Sequence, residues 1–246
     1  MLSKLLQYNH WTTSTDADGW RWYGDKDKPF SYPSVSTIQK AALPQPPELL
    51  DWYKKSTVSK IEKRLEETSA AGTELHSIFE EILQHGDSVA LSKEQVDKYQ
   101  VHVDSFREWV KKHSVQTIAQ EFTVVNKHYG YAGRVDALAY VDGKVELLDW
   151  KTGAHYSDSW SSQTAAYQMA VCEMLGVPLD SIGCRVVQIN RETGVLKDFK
   201  YQHVDFIQDT FLLALEMFKR APRFNKLKKI GWEYITKKAM VRTPNV

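Results

Sequence analysis

The stretch from Gly130 to Gly153, GYAGRVDALAYVDGKVELLDWKTG, holds two carboxylates and a lysine at spacings that let them act together. Asp136 and Asp149 are separated by twelve residues, with Asp142-Gly143 between them. Asp-Gly is a strong two-residue hairpin signal, because both turn positions need a backbone that these residues tolerate. The pattern predicts strands over Tyr131–Val141 and Val145–Trp150. Antiparallel neighbours lie about 5 Å apart, so the two carboxylates can converge on one cation. Hard oxygen ligands select Mg²⁺ or Mn²⁺, and Mg²⁺ keeps waters and room for a substrate phosphate. Strand alternation turns Asp149 and Lys151 to one face and Trp150 to the other, into the core. The lysine can orient or help deprotonate an attacking water and offset charge on a phosphate. A bound cation would lower that water's pKa. The expected chemistry is metal-assisted hydrolysis of a phosphodiester backbone. The bland alternative is a pair of strand-end carboxylates on a wet edge. Against it, two inward-facing Asp and a Lys are costly to bury without a partner ion.

Other elements must position this hairpin. Residues 70–85, AAGTELHSIFEEILQH, carry Leu75, Ile78, Phe79 and Ile82 at helical spacing, so one face is buried. His76 lies beside that stripe, and Glu80 is one turn on along the same side. His76 reads either as a satisfied core histidine or as a group aimed at the hairpin. Glu80 reads as a solvated face or a supporting carboxylate. A separate helix is expected over 48–67, and another over 93–113 with Val96, Tyr99, Val103, Phe106, Trp109 and Val110 as its apolar set. Val115–Val125 alternates loosely and predicts a strand carrying Glu121, which could reach the metal or substrate. A helix from Trp160 to Leu175 ends at Gly176-Val-Pro178 and carries Gln163 and Tyr167 one turn apart. A strand pair follows over Ile182–Asn190 and Val195–Tyr201, then a helix from Phe206. Near the N-terminus, aromatic residues flank Asp18-Gly19 in a hairpin pattern, and Ser34 is placed to cap a helix running to Ala42. Ser34 and Ser36 either donate to phosphate at that helix N-terminus or serve the cap alone. The order fits one sheet with helices around it, an α/β fold.

Composition removes several classes. Cys172 and Cys184 are the only cysteines, too few for a four-thiolate iron–sulfur cluster, a four-cysteine zinc site or a disulfide framework. A reducing compartment is expected, cytoplasmic by default with an organellar matrix left open. No run of about 18 apolar residues exists, so no membrane span is expected. The net charge of +1 hides an asymmetry: Lys219 to Arg242 holds nine Lys and Arg against one Glu, leaving the remainder at about −7. A cationic tail with Phe224, Trp232 and Tyr234 interleaved suits a polyanion with stackable bases.

These residues carry a resemblance. Asp136, twelve residues, then Asp149-Trp150-Lys151 resembles the PD-(D/E)XK nuclease signature. Gly72-Thr-Glu-Leu-His76, Gly133-Arg134-Val135-Asp136 and Gln163-Thr-Ala-Ala-Tyr167 resemble the further motifs of its RecB-type branch. Pro33-Ser-Val-Ser-Thr-Ile38 resembles the stretch that opens many phage and mitochondrial-type members. The resemblance implies a restriction-endonuclease-like core of four mixed strands flanked by helices, and a metal-dependent DNA exonuclease. It implies that Asp136, Asp149, the Trp150 carbonyl and His76 hold the metal, and that Lys151 activates water. Gln163 and Tyr167 would brace the site or touch DNA, with Arg134 a further candidate for phosphate. Replication or recombination proteins are the implied partners. Some relatives carry an iron–sulfur cluster that two cysteines cannot supply, which points to the cluster-free group of phage and mitochondrial genome maintenance type. The expected organisation is one nuclease domain, with an N-terminal extension over about 1–68 and a basic tail over about 219–246. An endonuclease on the same core and a non-catalytic DNA-binding module are the rival readings.

Overall fold

The computed structural model describes residues 1–17, 19–44, 47–153, 155–201 and 206–220. A single helical turn, α1 (Leu2–Leu5), leads into three short antiparallel strands, β1 (Thr12–Thr15), β2 (Arg21–Gly24) and β3 (Tyr32–Pro33), in that order. This small sheet answers the predicted aromatic hairpin, although Asp18 of its turn lies outside the described residues. Ser34 caps α2 (Val35–Ala42) as expected: its Oγ accepts from Thr37 N at 3.0 Å.

Next come α3 (Pro47–Lys55) and α4 (Val58–His85). Here the structure departs from the sequence reading, which divided helices near residue 68. The break falls at Ser56-Thr57, where Thr57 Oγ1 caps α4, and α4 then runs for 28 residues. Ala70 and Ala71 favour helix, and the cost of Gly72, about 1 kcal/mol, does not break it. Gly72 instead allows a close approach: a Cβ there would meet Thr152 Oγ1 at 3.3 Å. Residue 68 is therefore interior to a helix.

A Ser92/Gln95 capping box starts α5 (Lys93–Lys112). Its buried face is Tyr99, Val103, Phe106 and Trp109, while Val96 in the first turn is exposed and Val110 half-buried. The main sheet follows: β4 (Gln116–Asn126), β5 (Tyr131–Val141), β6 (Lys144–Lys151), then helix α6 (Ser159–Leu175), then β7 (Gly183–Ile189) and β8 (Leu196–Lys200). The last described helix, α7, spans 206–220. Strand order is β4-β5-β6-β7-β8, antiparallel except for β6–β7, which α6 connects as a parallel crossover. Five strands stand where the resemblance implied four, because β8 returns antiparallel on β7. The sheet is covered on both faces. Residues of α1, α2, α6 and α7 pack on Val135, Leu138 and Leu147. Residues of α4 and α5 pack on Ala137, Leu148 and Trp150 from the other side. This is the layered α/β core of a restriction-endonuclease-like fold. No helix among the described residues is long and apolar enough to cross a membrane.

Candidate active site

The strand register sets the site. Gln120 pairs with Ala137, and Ala137 pairs with Leu148. One position along, Glu121, Asp136 and Asp149 therefore stand abreast on β4, β5 and β6. They open into a cleft of about 570 Å³. α4 crosses one wall and contributes His76, whose Nδ1 lies 3.8 Å from Asp136 Oδ2. His76, Glu121 and Asp136 each offer a ligand atom, all within 4.8 Å of one another. Glu80, one turn further along α4, also lines the cleft.

Trp150 does two jobs from between Asp149 and Lys151. Its ring is buried against Phe106 and Trp109. Its N–H donates to Asp136 Oδ2 at 2.7 Å, so the same residue anchors the strand end and fixes a carboxylate. Beyond it, Lys151 Nζ lies 2.7 Å from Asp149 Oδ2 and donates to Gln163 Oε1 at 2.9 Å. Gln163 Nε2 donates to the Tyr167 hydroxyl at 2.9 Å. The helical i, i+4 spacing of Gln163 and Tyr167 thus becomes a polar chain that holds the lysine.

Gly133 explains why the tyrosine fits. A Cβ at that position would overlap the Tyr167 ring. Gly133→Ala is accordingly expected to lose about 1–3 kcal/mol by overpacking and to push Tyr167, and with it Gln163, off Lys151. The melting temperature falls on this account; an unshifted melting temperature would contradict it.

Burial governs the electrostatics. Desolvation, followed by the charge of Asp149, raises the Asp136 pKa to about 7. Burial likewise raises Glu121, with Asp136 adding to it. Burial lowers His76, favouring the neutral imidazole, although Asp149 and a hydrogen bond to the Trp150 backbone oppose the shift. Burial holds the Tyr167 hydroxyl well above the usual phenol range. Asp149 Oδ2 is buried and receives no hydrogen bond, because the nearby Lys151 is not aligned to donate to it. Two carboxylates abreast, one resisting ionisation and the other buried and paired to a lysine, fit a hard divalent cation. Asp136, Asp149, Glu121 and His76 supply suitable donors.

Every candidate side chain from the sequence reading lines this cleft, apart from Trp150 with its ring in the core. Ser34 is buried, and its hydroxyl is taken up by the α2 cap and by Thr37 Oγ1, whereas Ser36 is half-buried beside it. Arg134 is largely exposed, with its Nε 2.6 Å from Glu121 Oε2. The sequence reading missed Arg21 and Lys40, brought in by β2 and α2, and Ser69, Thr73 and Ser77, which share the His76 face of α4. The last three follow the helical spacing that singled out Glu80 and were legible from it. The basic segment lies outside the described residues from 221 onward.

The sequence profile of the PD-(D/E)XK nuclease superfamily matches residues 48–225. The chain belongs to this superfamily. The match takes in α4, the whole main sheet and α6, the elements that build the cleft. Among solved structures, a provisionally named exonuclease from Eubacterium rectale is 10% identical with a TM-score of 0.39, over 62% of this chain and 66% of that one. SSO0001 is 15% identical with a TM-score of 0.29, over 55% and 65%. The chain spans just under two thirds of the length of each. No curated protein matches the chain significantly.

Proposed function

We propose that this PD-(D/E)XK nuclease is a Mg²⁺- or Mn²⁺-dependent DNA exonuclease of RecB type, acting on ends or single strands in replication, recombination or repair. The observation that carries the reading is the Asp149–Lys151–Gln163–Tyr167 array beside Asp136, with the buried Asp149 oxygen paired to the Lys151 ammonium. Asp136 and Asp149 would hold the cation, with His76 and the Trp150 carbonyl as further ligands. When bound, the cation supplies Lewis-acid polarisation of the phosphate and an acidified water. Lys151, held by Gln163, orients that water and offsets charge building on the phosphate. Arg21, Lys40 and Arg134 line the same cleft and suit a polyanionic strand.

The test is degradation of end-labelled DNA in Mn²⁺, beside a covalently closed circle of the same sequence. Loss of label from linear DNA, abolished by EDTA, with the circle intact, is the expected result. Cutting of the circle would instead make the protein an endonuclease. Tight DNA binding without cleavage in any divalent metal would favour the non-catalytic module.

A further inference from the structure

Glu121 stands apart from the other acidic groups of the cleft. It sits inside a β-strand with φ of 45°, the left-handed region that non-glycine residues rarely adopt. A strained position of this kind clusters at functional sites. Its carboxylate faces Asp136 and Glu80, both of like charge. The group that offsets them is Arg134, two residues before Asp136 on β5, at 2.6 Å. The two partners differ in exposure: the Arg134 side chain is 58% exposed and Glu121 only 24%. A guanidinium on the rim of a cleft is an exchangeable partner, because a phosphate offers it the same two-pronged acceptor geometry as a carboxylate.

We propose that the Arg134–Glu121 pair is a latch worked by the substrate. A backbone phosphate that engages Arg134 frees Glu121, which then joins His76 and Asp136 as an additional cation ligand. The cleft thereby binds its divalent ion most tightly when a strand is in place. Glu121 is a positioning and ligand residue in this scheme, and Arg134 is the sensor of the phosphate. The inference rests on the metal-dependent reading above and adds an order of events to it.

The experiment measures Mn²⁺ binding by calorimetry on the full chain without DNA, comparing wild type with Arg134→Gln, Glu121→Gln and the double variant. Arg134→Gln is expected to bind Mn²⁺ about tenfold more tightly than wild type, the usual size of a coupling between two sites. Glu121→Gln is expected to bind no more tightly than wild type, and the double variant to follow Glu121→Gln. A short phosphorothioate oligonucleotide should then tighten Mn²⁺ binding more in wild type than in Arg134→Gln, where the latch is already open. Should Arg134→Gln melt early, Arg134→Met keeps the apolar stem and carries the same test. Unchanged or weaker binding in the Arg134 variant overturns the latch, as does tightening that survives in the double variant. Wild type that binds no Mn²⁺, with or without oligonucleotide, sinks the metal-dependent reading as well.

Discussion

Replacing Lys151 with alanine is expected to lower the nuclease rate by about a hundred- to ten-thousandfold, the usual range for a positioned proton-transfer group. The ammonium is held by Gln163 Oε1 at 2.9 Å and stands 2.7 Å from Asp149, so its position does not depend on substrate. Removing it takes away the orienting group and leaves the buried Asp149 carboxylate without its lysine counter-charge. Mn²⁺ binding should survive, because the carboxylates remain and the cation itself supplies the missing charge. Single-turnover cleavage of end-labelled DNA, beside calorimetry with Mn²⁺, separates the two effects. Equal cleavage by wild type and Lys151→Ala would overturn the assignment of this residue.

Asp136→Asn is expected to weaken Mn²⁺ binding at least tenfold and to remove a pH dependence that wild type shows. In the metal-free protein the Asp136 pKa is about 7, against an ordinary 3.8. Between those values the folded state holds a proton that the unfolded state has released. Stability of the metal-free protein therefore declines as pH rises through that window, and the decline is complete above about 7. A divalent cation replaces the proton as partner for the carboxylates, and competes with it below that pH. Mn²⁺ should thus raise the melting temperature more at pH 8 than at pH 5.5. The measurement is a melting series with and without Mn²⁺ at both values; an equal shift at both would count against Asp136 as a ligand. In Asp136→Asn the difference should vanish.

The hairpin geometry was legible because its causes are local. Asp142-Gly143 makes a tight turn, and strand alternation then turns Asp149 and Lys151 to one side and Trp150 to the other, as the structure has them. The Ser34 cap and the Gly176 stop were legible on the same ground, since each satisfies backbone groups within its own turn. The unbroken α4 was harder to read. Its apolar stripe begins only at Leu75, and nothing in residues 58–72 shows a buried face that would extend the periodicity back to Thr57. The fifth strand was visible as a strand, but its place at the sheet edge was not, because β7–β8 pairing is settled by what the sheet leaves open.

The sequence by itself determined a turn, an alternation and a helical spacing, enough to bring Asp136, Asp149 and Lys151 to one face and to set Gln163 beside Tyr167. Only the tertiary structure decided the rest of the cleft. Glu121 stands abreast of Asp136 because β4 pairs with β5 in one register, and a slip of one residue would turn it to the other face. Arg21 and Lys40 arrive because the small N-terminal sheet and α2 dock against β5, through the bridge of Ser34 with Ala132 among other contacts. Gly133 matters because Tyr167, from a distant helix, lies where its Cβ would be. Each of these depends on groups far apart in the chain, and no local spacing encodes which distant surface will close over the hairpin.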